Sequence, residues 1–397
     1  MNSFIHVMPR RCPEFSAAAF FMLMLSGNVS ANTLDVAPEG ASYKTPCAAF
    51  AAAADGDTIQ IGAGTYVGDV CGINKSHLTI RGVGIGRPKI DANGASSQGK
   101  GIWVAGGTGT VIENVEMFGA RVADKNGAAI RLDGRDLTLR NSYLHDNENG
   151  ILTHNDELSN IIIENSEFEN NGAGDGLSHN LYIGRVHSLL FKGNFSHDAN
   201  VGHNLKSRAS INTVEYNRFS TASGSPSYEI DLPNAGTAYI IGNVIQQGAT
   251  YSNSGLLTYG LEGGHHVSMD LYVVNNTFLN DASAGTFINI DSRVTTPAVV
   301  RNNMFIGSIS TYITQTYAIQ EGNYSVIDRN NAPVVDLANY DLHPLSNAYD
   351  VINGGVNPGY ATTGFDLRPT RQYKHVASTD PRPFSSTPPA IGAYEPY

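Results

Sequence analysis

A short strand-like unit that ends in asparagine returns eight times: Ile112-Glu113-Asn114, Leu139-Arg140-Asn141, Ile163-Glu164-Asn165, Lys192-Gly193-Asn194, Glu215-Tyr216-Asn217, Ile241-Gly242-Asn243, Val274-Asn275-Asn276 and Arg301-Asn302-Asn303. The asparagines fall 23 to 33 residues apart. A constant short strand with connections of uneven length is the mark of a solenoid whose rung is preserved while its loops vary, because helical repeat arrays hold their period nearly fixed. A second brief strand follows each unit, as in Val115-Glu116-Met117-Phe118 and Thr277-Phe278-Leu279. A third appears as Ala129-Ile130-Arg131-Leu132, Gly150-Ile151-Leu152-Thr153, Asn180-Leu181-Tyr182-Ile183, Asn204-Leu205-Lys206-Ser207, Glu229-Ile230-Asp231-Leu232 and Ile288-Asn289-Ile290-Asp291. Three strands per coil predict an all-β fold, a single-stranded right-handed parallel β-helix. Stacked coils bring like residues within about 4.8 Å of one another, so the repeated asparagines are expected to form a structural ladder.

A solenoid must protect its terminal rungs. An Ala-rich helix over Cys47–Ala54 is expected to cap the N-terminal end, and the Pro-rich stretch after Asn323 to fold back as an irregular C-terminal cap. The domain reading is residues 1–31 as an export signal, 32–325 as the β-helix with its N-terminal cap, and 326–397 as the capping segment. Arg10 and Arg11 before the apolar run Ala17–Leu25, with Val29-Ser30-Ala31 at the cleavage position, carry the signal, and the run is too short to span a bilayer. The protein is therefore expected to be secreted or periplasmic. In an oxidising compartment Cys47 and Cys71 are expected to pair, closing a loop whose disulfide contributes about 3 kcal/mol. Two buried free thiols are the alternative.

The opening Asp57-Thr58-Ile59-Gln60-Ile61 with Gly64-Thr65-Tyr66, the coils, and the closing Phe365-Asp366-Leu367-Arg368-Pro369 and Ile391-Gly392-Ala393-Tyr394-Glu395 resemble secreted bacterial parallel β-helix proteins of the pectate-lyase superfamily. The resemblance implies fold strongly and substrate weakly, since lyases, epimerases, hydrolases and binding proteins share this scaffold.

The third strand of each coil carries the chemistry. If Ile130, Ile151, Leu181, Leu205, Ile230 and Ile288 point inward, strand alternation turns their neighbours outward as a strip containing Arg131, Asp133, His154, Asn180, Tyr182, Asn204, Lys206, Arg208, Glu229 and Asp231. Lys206 and Arg208 share a face, and the guanidinium is expected to depress the lysine pKa until a neutral amine can act as base. Such a pair suits removal of the proton α to a uronate carboxylate, with Arg208 neutralising the carboxylate and Tyr182 or His203 protonating the leaving oxygen. Lys206 and Arg208 also resemble the catalytic Lys and Arg of β-helix lyases such as chondroitinase B and alginate lyases, although here both sit on one strand. His154, His179, Asn180, Asn204, Glu229, Asp231, Glu262 and His265 are expected to line the substrate groove, with His266 beside them. No cofactor is required on this reading. Calcium, held by Glu229, Asp231 and Asp291, is the candidate metal.

The function expected is thus a secreted lyase cleaving a uronate-containing polysaccharide by β-elimination. A uronate C5-epimerase, a glycoside hydrolase and a non-catalytic glycan-binding protein are the alternatives. The formal net charge of −11 excludes general nucleic-acid binding, and no membrane partner is expected. A monomer acting on an acidic polysaccharide remains.

Overall fold

The computed structural model describes residue 1 and residues 31–309, 311–383 and 388–397; the export signal read over residues 1–31 falls almost wholly outside them. The chain winds through three parallel sheets in strict rotation, making a right-handed parallel β-helix of about ten turns. The first sheet has 12 strands, from Thr33–Val36 to Ile319–Glu321, and the second has 11, from Thr65–Val67 to Tyr324–Val326. The third has 10, from Cys71–Ile73 to Thr311–Ile313. Alternate side chains of each strand turn inward at each level. Ile112, Leu139, Ile163, Phe191, Val214, Ile240 and Val273 stack in the first sheet, and in the second Met117, Leu144 and Phe168 are followed, after Ser196, by Phe219, Ile245 and Phe278. All the apolar ones are buried in one continuous core that fills the tube.

The asparagine ladder forms with a shifted register. Each corner between the first and second sheets has a left-handed residue followed by a buried rung residue. The left-handed sites are Asn114, Asn141, Asn165, Gly193, Tyr216, Gly242, Asn275, Asn302 and Gly322, so all but Tyr216 are the glycine or asparagine that this conformation favours. The ladder is built from the next residue. Asn194, Asn217, Asn243, Asn276 and Asn303 each donate backbone N–H and side-chain amide to the Oδ1 of the following rung, ending at Asn323. Asn114, Asn141 and Asn165, expected in the ladder, are therefore the turn residues, and Val115, Ser142 and Ser166 hold the rung positions beside them.

The predicted N-terminal helix forms over Pro46–Ala52, with Thr45 Oγ1 accepting from the Ala48 N–H, and Phe50 packs edge-on against Trp103 of the core at 5.2 Å. Cys47 on this helix is bonded to Cys71 at the first strand of the third sheet, with Cα atoms 5.8 Å apart. Among the described residues no helix is long and apolar enough to cross a membrane.

The C-terminal segment runs along the outside of the helix and reaches the last coil at Gly322, beside Gly354 and Val356. Leu342, Val351, Tyr373, Ile391 and Tyr394 pack along the outer face of the second sheet, on Phe195, Val244, Leu279, Met304 and Ile306. Ile319–Glu321 in the last rung stays exposed. The chain meets that exposure by its own composition, since Gln320 and Ser325 replace the apolar residues that occupy the inward columns of earlier rungs.

Candidate active site

The third sheet presents an outward column in continuous register, Arg131, Leu152, Tyr182, Lys206, Asp231 and Thr258. Alternation inside each short strand dictates this, as Leu181, Leu205 and Ile230 are held in the core. A groove of about 660 Å³ runs along it, walled by Arg131, His154, His179, Tyr182, Arg208 and Glu262.

At its centre one carboxylate grips two cations. Glu262 Oε1 accepts from Lys206 Nζ at 2.5 Å and Oε2 from Arg208 Nη2 at 2.5 Å. Asp231 Oδ2 takes Lys206 Nζ at 3.0 Å from the other side, and Asp231 Oδ1 accepts from the Thr258 hydroxyl at 2.7 Å. Arg208 donates Nε to Tyr182 Oη at 2.8 Å and Nη1 to Asn234 Oδ1 at 2.8 Å. That geometry leaves the Tyr182 hydroxyl proton free to be donated elsewhere. Glu262 lies in the long insertion of the repeat. The insertion is pinned beside Arg208 by His266, whose ring contacts the Arg208 carbonyl at 3.0 Å and Ser210 Oγ at 3.1 Å. His265 instead closes the insertion on itself through the Gly260 carbonyl at 2.7 Å, away from the groove lining.

The electrostatics reverse one expectation. Burial works to lower the Lys206 pKa, but contact with Asp231 and Glu262 more than offsets it and holds the ammonium above the ordinary lysine range. Arg208, expected to depress Lys206, spends its charge on the same Glu262. Burial works to raise the Glu262 carboxyl, yet the two cations keep it below the usual glutamate value.

His179, His203 and Tyr228 form a second column at the strand entrance, with rings stacked at 4.7 and 5.1 Å. His179 Nδ1 accepts the His203 backbone N–H and His203 Nδ1 accepts that of Tyr228, both at 3.0 Å, so each ring carries its proton on Nε2. Burial, then the Lys206 charge, pushes His203 down to about 3; burial, His203 and Lys206 keep His179 well below its ordinary value. His203 is thus a neutral hydrogen-bond donor, with Nε2 3.5 Å from Asp231 Oδ2.

Besides His265, three residues expected in the groove are elsewhere. Asn180, Asn204 and Glu229 are buried in a second ladder that runs from Asn147 and Asn171 through Asn180 and Asn204 to Glu229. Each stands just before its strand (Leu181–Ile183, Leu205–Ser207, Ile230–Leu232), at a corner where alternation does not yet apply. Glu229 closes the ladder, accepting from Asn204 and from the Thr221 hydroxyl, and complete burial pushes its carboxyl up to about 7. The calcium set is not assembled either: Glu229 serves the ladder, Asp231 holds Lys206, and Asp291 is paired with Arg293 at 2.6 Å. Glu167, Glu169 and His197 do offer three donor atoms within 4.8 Å, but on the second sheet. His154 lines the groove as expected and contacts the Leu132 carbonyl at 3.1 Å.

Asn234, Thr258 and Tyr228 were not singled out from the sequence. Tyr228 was legible there, since Ser227-Tyr228-Glu229-Ile230 aligns with Gly202-His203-Asn204-Leu205 and Ser178-His179-Asn180-Leu181. Asn234 and Thr258 carry no motif, and only the fold brings them to Arg208 and Asp231.

A family model described as a right-handed β-helix region matches residues 52–180. No curated protein matches the chain in sequence. Among solved structures the chain is similar to pectate lyase Pel9A, at 17% identity and a TM-score of 0.59, covering 93% of this chain and 98% of that one. It is also similar to a rhamnogalacturonan lyase, at 14% identity and a TM-score of 0.55, covering 78% and 92%. Likeness at such identities is one of architecture. By fold, then, this chain is a right-handed parallel β-helix similar to the polysaccharide lyases.

Proposed function

We propose that the protein is a secreted lyase that cleaves a uronate-containing polysaccharide by β-elimination in the third-sheet groove. The observation that carries this reading is the grip of Lys206 and Arg208 on the single carboxylate of Glu262, an arrangement that suits a receptor for a uronate carboxylate. Glu262 is 45% exposed and sits on an insertion, so an incoming carboxylate can displace it into solvent. Arg208, oriented by Asn234, then holds the substrate carboxylate, and the guanidinium stabilises the charge that develops as the α-proton leaves. Lys206, anchored by Asp231 and freed of Glu262, takes that proton in its amine form. The C–H electron pair becomes the new double bond, the glycosidic C–O bond breaks, and Tyr182 Oη protonates the departing oxygen.

Hydrolysis is less well supported. Asp231 and Glu262 both touch the Lys206 ammonium, so their nearest oxygens stand closer than the about 6.5–9.5 Å that an inverting hydrolase leaves for water. The disulfide suits an oxidising, extracellular compartment, in line with export. Incubation with galacturonate, mannuronate, guluronate and glucuronate polymers tests the proposal. One of them should yield shorter chains with an ultraviolet-absorbing unsaturated end, and Lys206→Ala should abolish it. Unchanged chain length with inverted C5 would mean epimerisation, and no product from any uronate polymer would overturn the reading.

A further inference from the structure

A cleft of about 790 Å³ lies far from the third-sheet groove in topology, between the outer face of the second sheet and the C-terminal segment. Its size is within the about 300–1,000 Å³ of ligand sites. The second sheet contributes Phe195, His197 and Arg218, and the C-terminal segment contributes Tyr340, Tyr373 and Tyr397. The Arg218 guanidinium is sandwiched between two rings, 5.4 Å from the Phe195 centroid and 4.6 Å from that of Tyr340. Its Nε is buried without a hydrogen-bond partner, and among the described residues no carboxylate forms an ion pair with it.

The acids around the cleft are occupied. Asp198 holds His197 at 2.8 Å, Asp341 holds His343 at 2.7 Å and the Tyr397 hydroxyl at 2.9 Å, and Asp380 holds Lys374 at 3.2 Å. A half-buried guanidinium with no counter-charge is costly unless an anion completes it, and its planar fork matches a carboxylate. Around it stand flat aromatic faces. Phe195 stacks on His197 at 4.0 Å, and His343 stacks on Tyr397 at 4.1 Å. Such faces pack well against the C–H face of a sugar ring.

We infer that this cleft is a second glycan site, which binds a uronate residue with its carboxylate on Arg218 and its ring against Tyr340 and the exposed Tyr397. The choice of a uronate over another small anion rests on the function proposed above, and the site would hold the polymer on a flank that takes no part in cleavage. It also gives the C-terminal segment a task, because most of the walls come from it.

The test is calorimetric titration of the full chain carrying Lys206→Ala and Arg208→Ala, which removes the central cation pair of the groove, with tetragalacturonate, tetramannuronate and a carboxyl-reduced neutral tetramer. At least one acidic tetramer should bind with one site per chain, and the neutral one should not. Adding Arg218→Gln should weaken binding at least tenfold, and Arg218→Lys should restore part of it. Tyr340→Ala, which leaves the cation in place, should cost about threefold to tenfold and serves if the Arg218 variants do not fold. Binding indifferent to both Arg218→Gln and Tyr340→Ala, or no binding of either acidic tetramer, overturns the site. Arg218-dependent binding by a protein that yields no unsaturated product would keep the site and overturn the lyase reading.

Discussion

Lys206 can accept a proton only after losing the one that Asp231 and Glu262 hold on it. Since kcat/KM reports the protonation states of free enzyme, its value should climb with pH well into the alkaline range. Glu262→Gln removes one of the two charges that raise the lysine, so it should move that climb toward neutral pH and lower KM by clearing the carboxylate receptor. Rate profiles of both proteins over pH 6–10.5 check this, and coincident profiles would deny Glu262 the part assigned to it. Glu229 makes a separate residue-scale prediction. Its folded pKa, about 7, exceeds the ordinary 4.5, so the native state binds more protons between these values and stability falls as pH rises through them. The shift corresponds to about 3 kcal/mol. Denaturant melts should therefore show Glu229→Gln gaining on the wild type between pH 4.5 and 7 and holding that gain above.

Strands three residues long leave little room for periodic reasoning. Alternation correctly turned Tyr182, Lys206 and Asp231 outward, because all three lie within strands. It failed one residue earlier, at Asn180, Asn204 and Glu229, because a corner residue follows the turn rather than the pleat. The first ladder shows the same limit. Asn-Ser in the early coils and Gly-Asn in the later ones are the same corner, and only hydrogen bonding tells which of the two positions is buried. The distinction is testable by paired substitutions. Asn243→Gly strands the donors of Asn217 and should cost about 2–4 kcal/mol, whereas Asn141→Gly sits at a left-handed φ of 50° and should change stability by less than about 1 kcal/mol. Equal losses in thermal or denaturant melts would contradict the ladder register.

Across the whole molecule, the repeats made the solenoid legible because each strand pairs with its counterpart one coil away. The C-terminal segment was not legible in that way. Its contacts reach back more than a hundred residues, as from Ala393 N–H to Thr277 Oγ1, with no period to announce them. The Cys47–Cys71 pair was legible from its setting, and reducing it should lower stability by about 3 kcal/mol. Charge also needs this scale. A chain of net charge −11 repels an acidic polymer at long range, so the proposed function requires recognition by a few concentrated cations, Lys206 and Arg208 in the groove. The most direct measurement of that claim compares one uronate polymer, whichever the protein cleaves, as its free acid and as its full methyl ester, by initial rate of unsaturated-end formation. A receptor built for a carboxylate predicts rapid cleavage of the acid and a rate at least tenfold lower on the ester. Equal rates, or a preference for the ester, would contradict it.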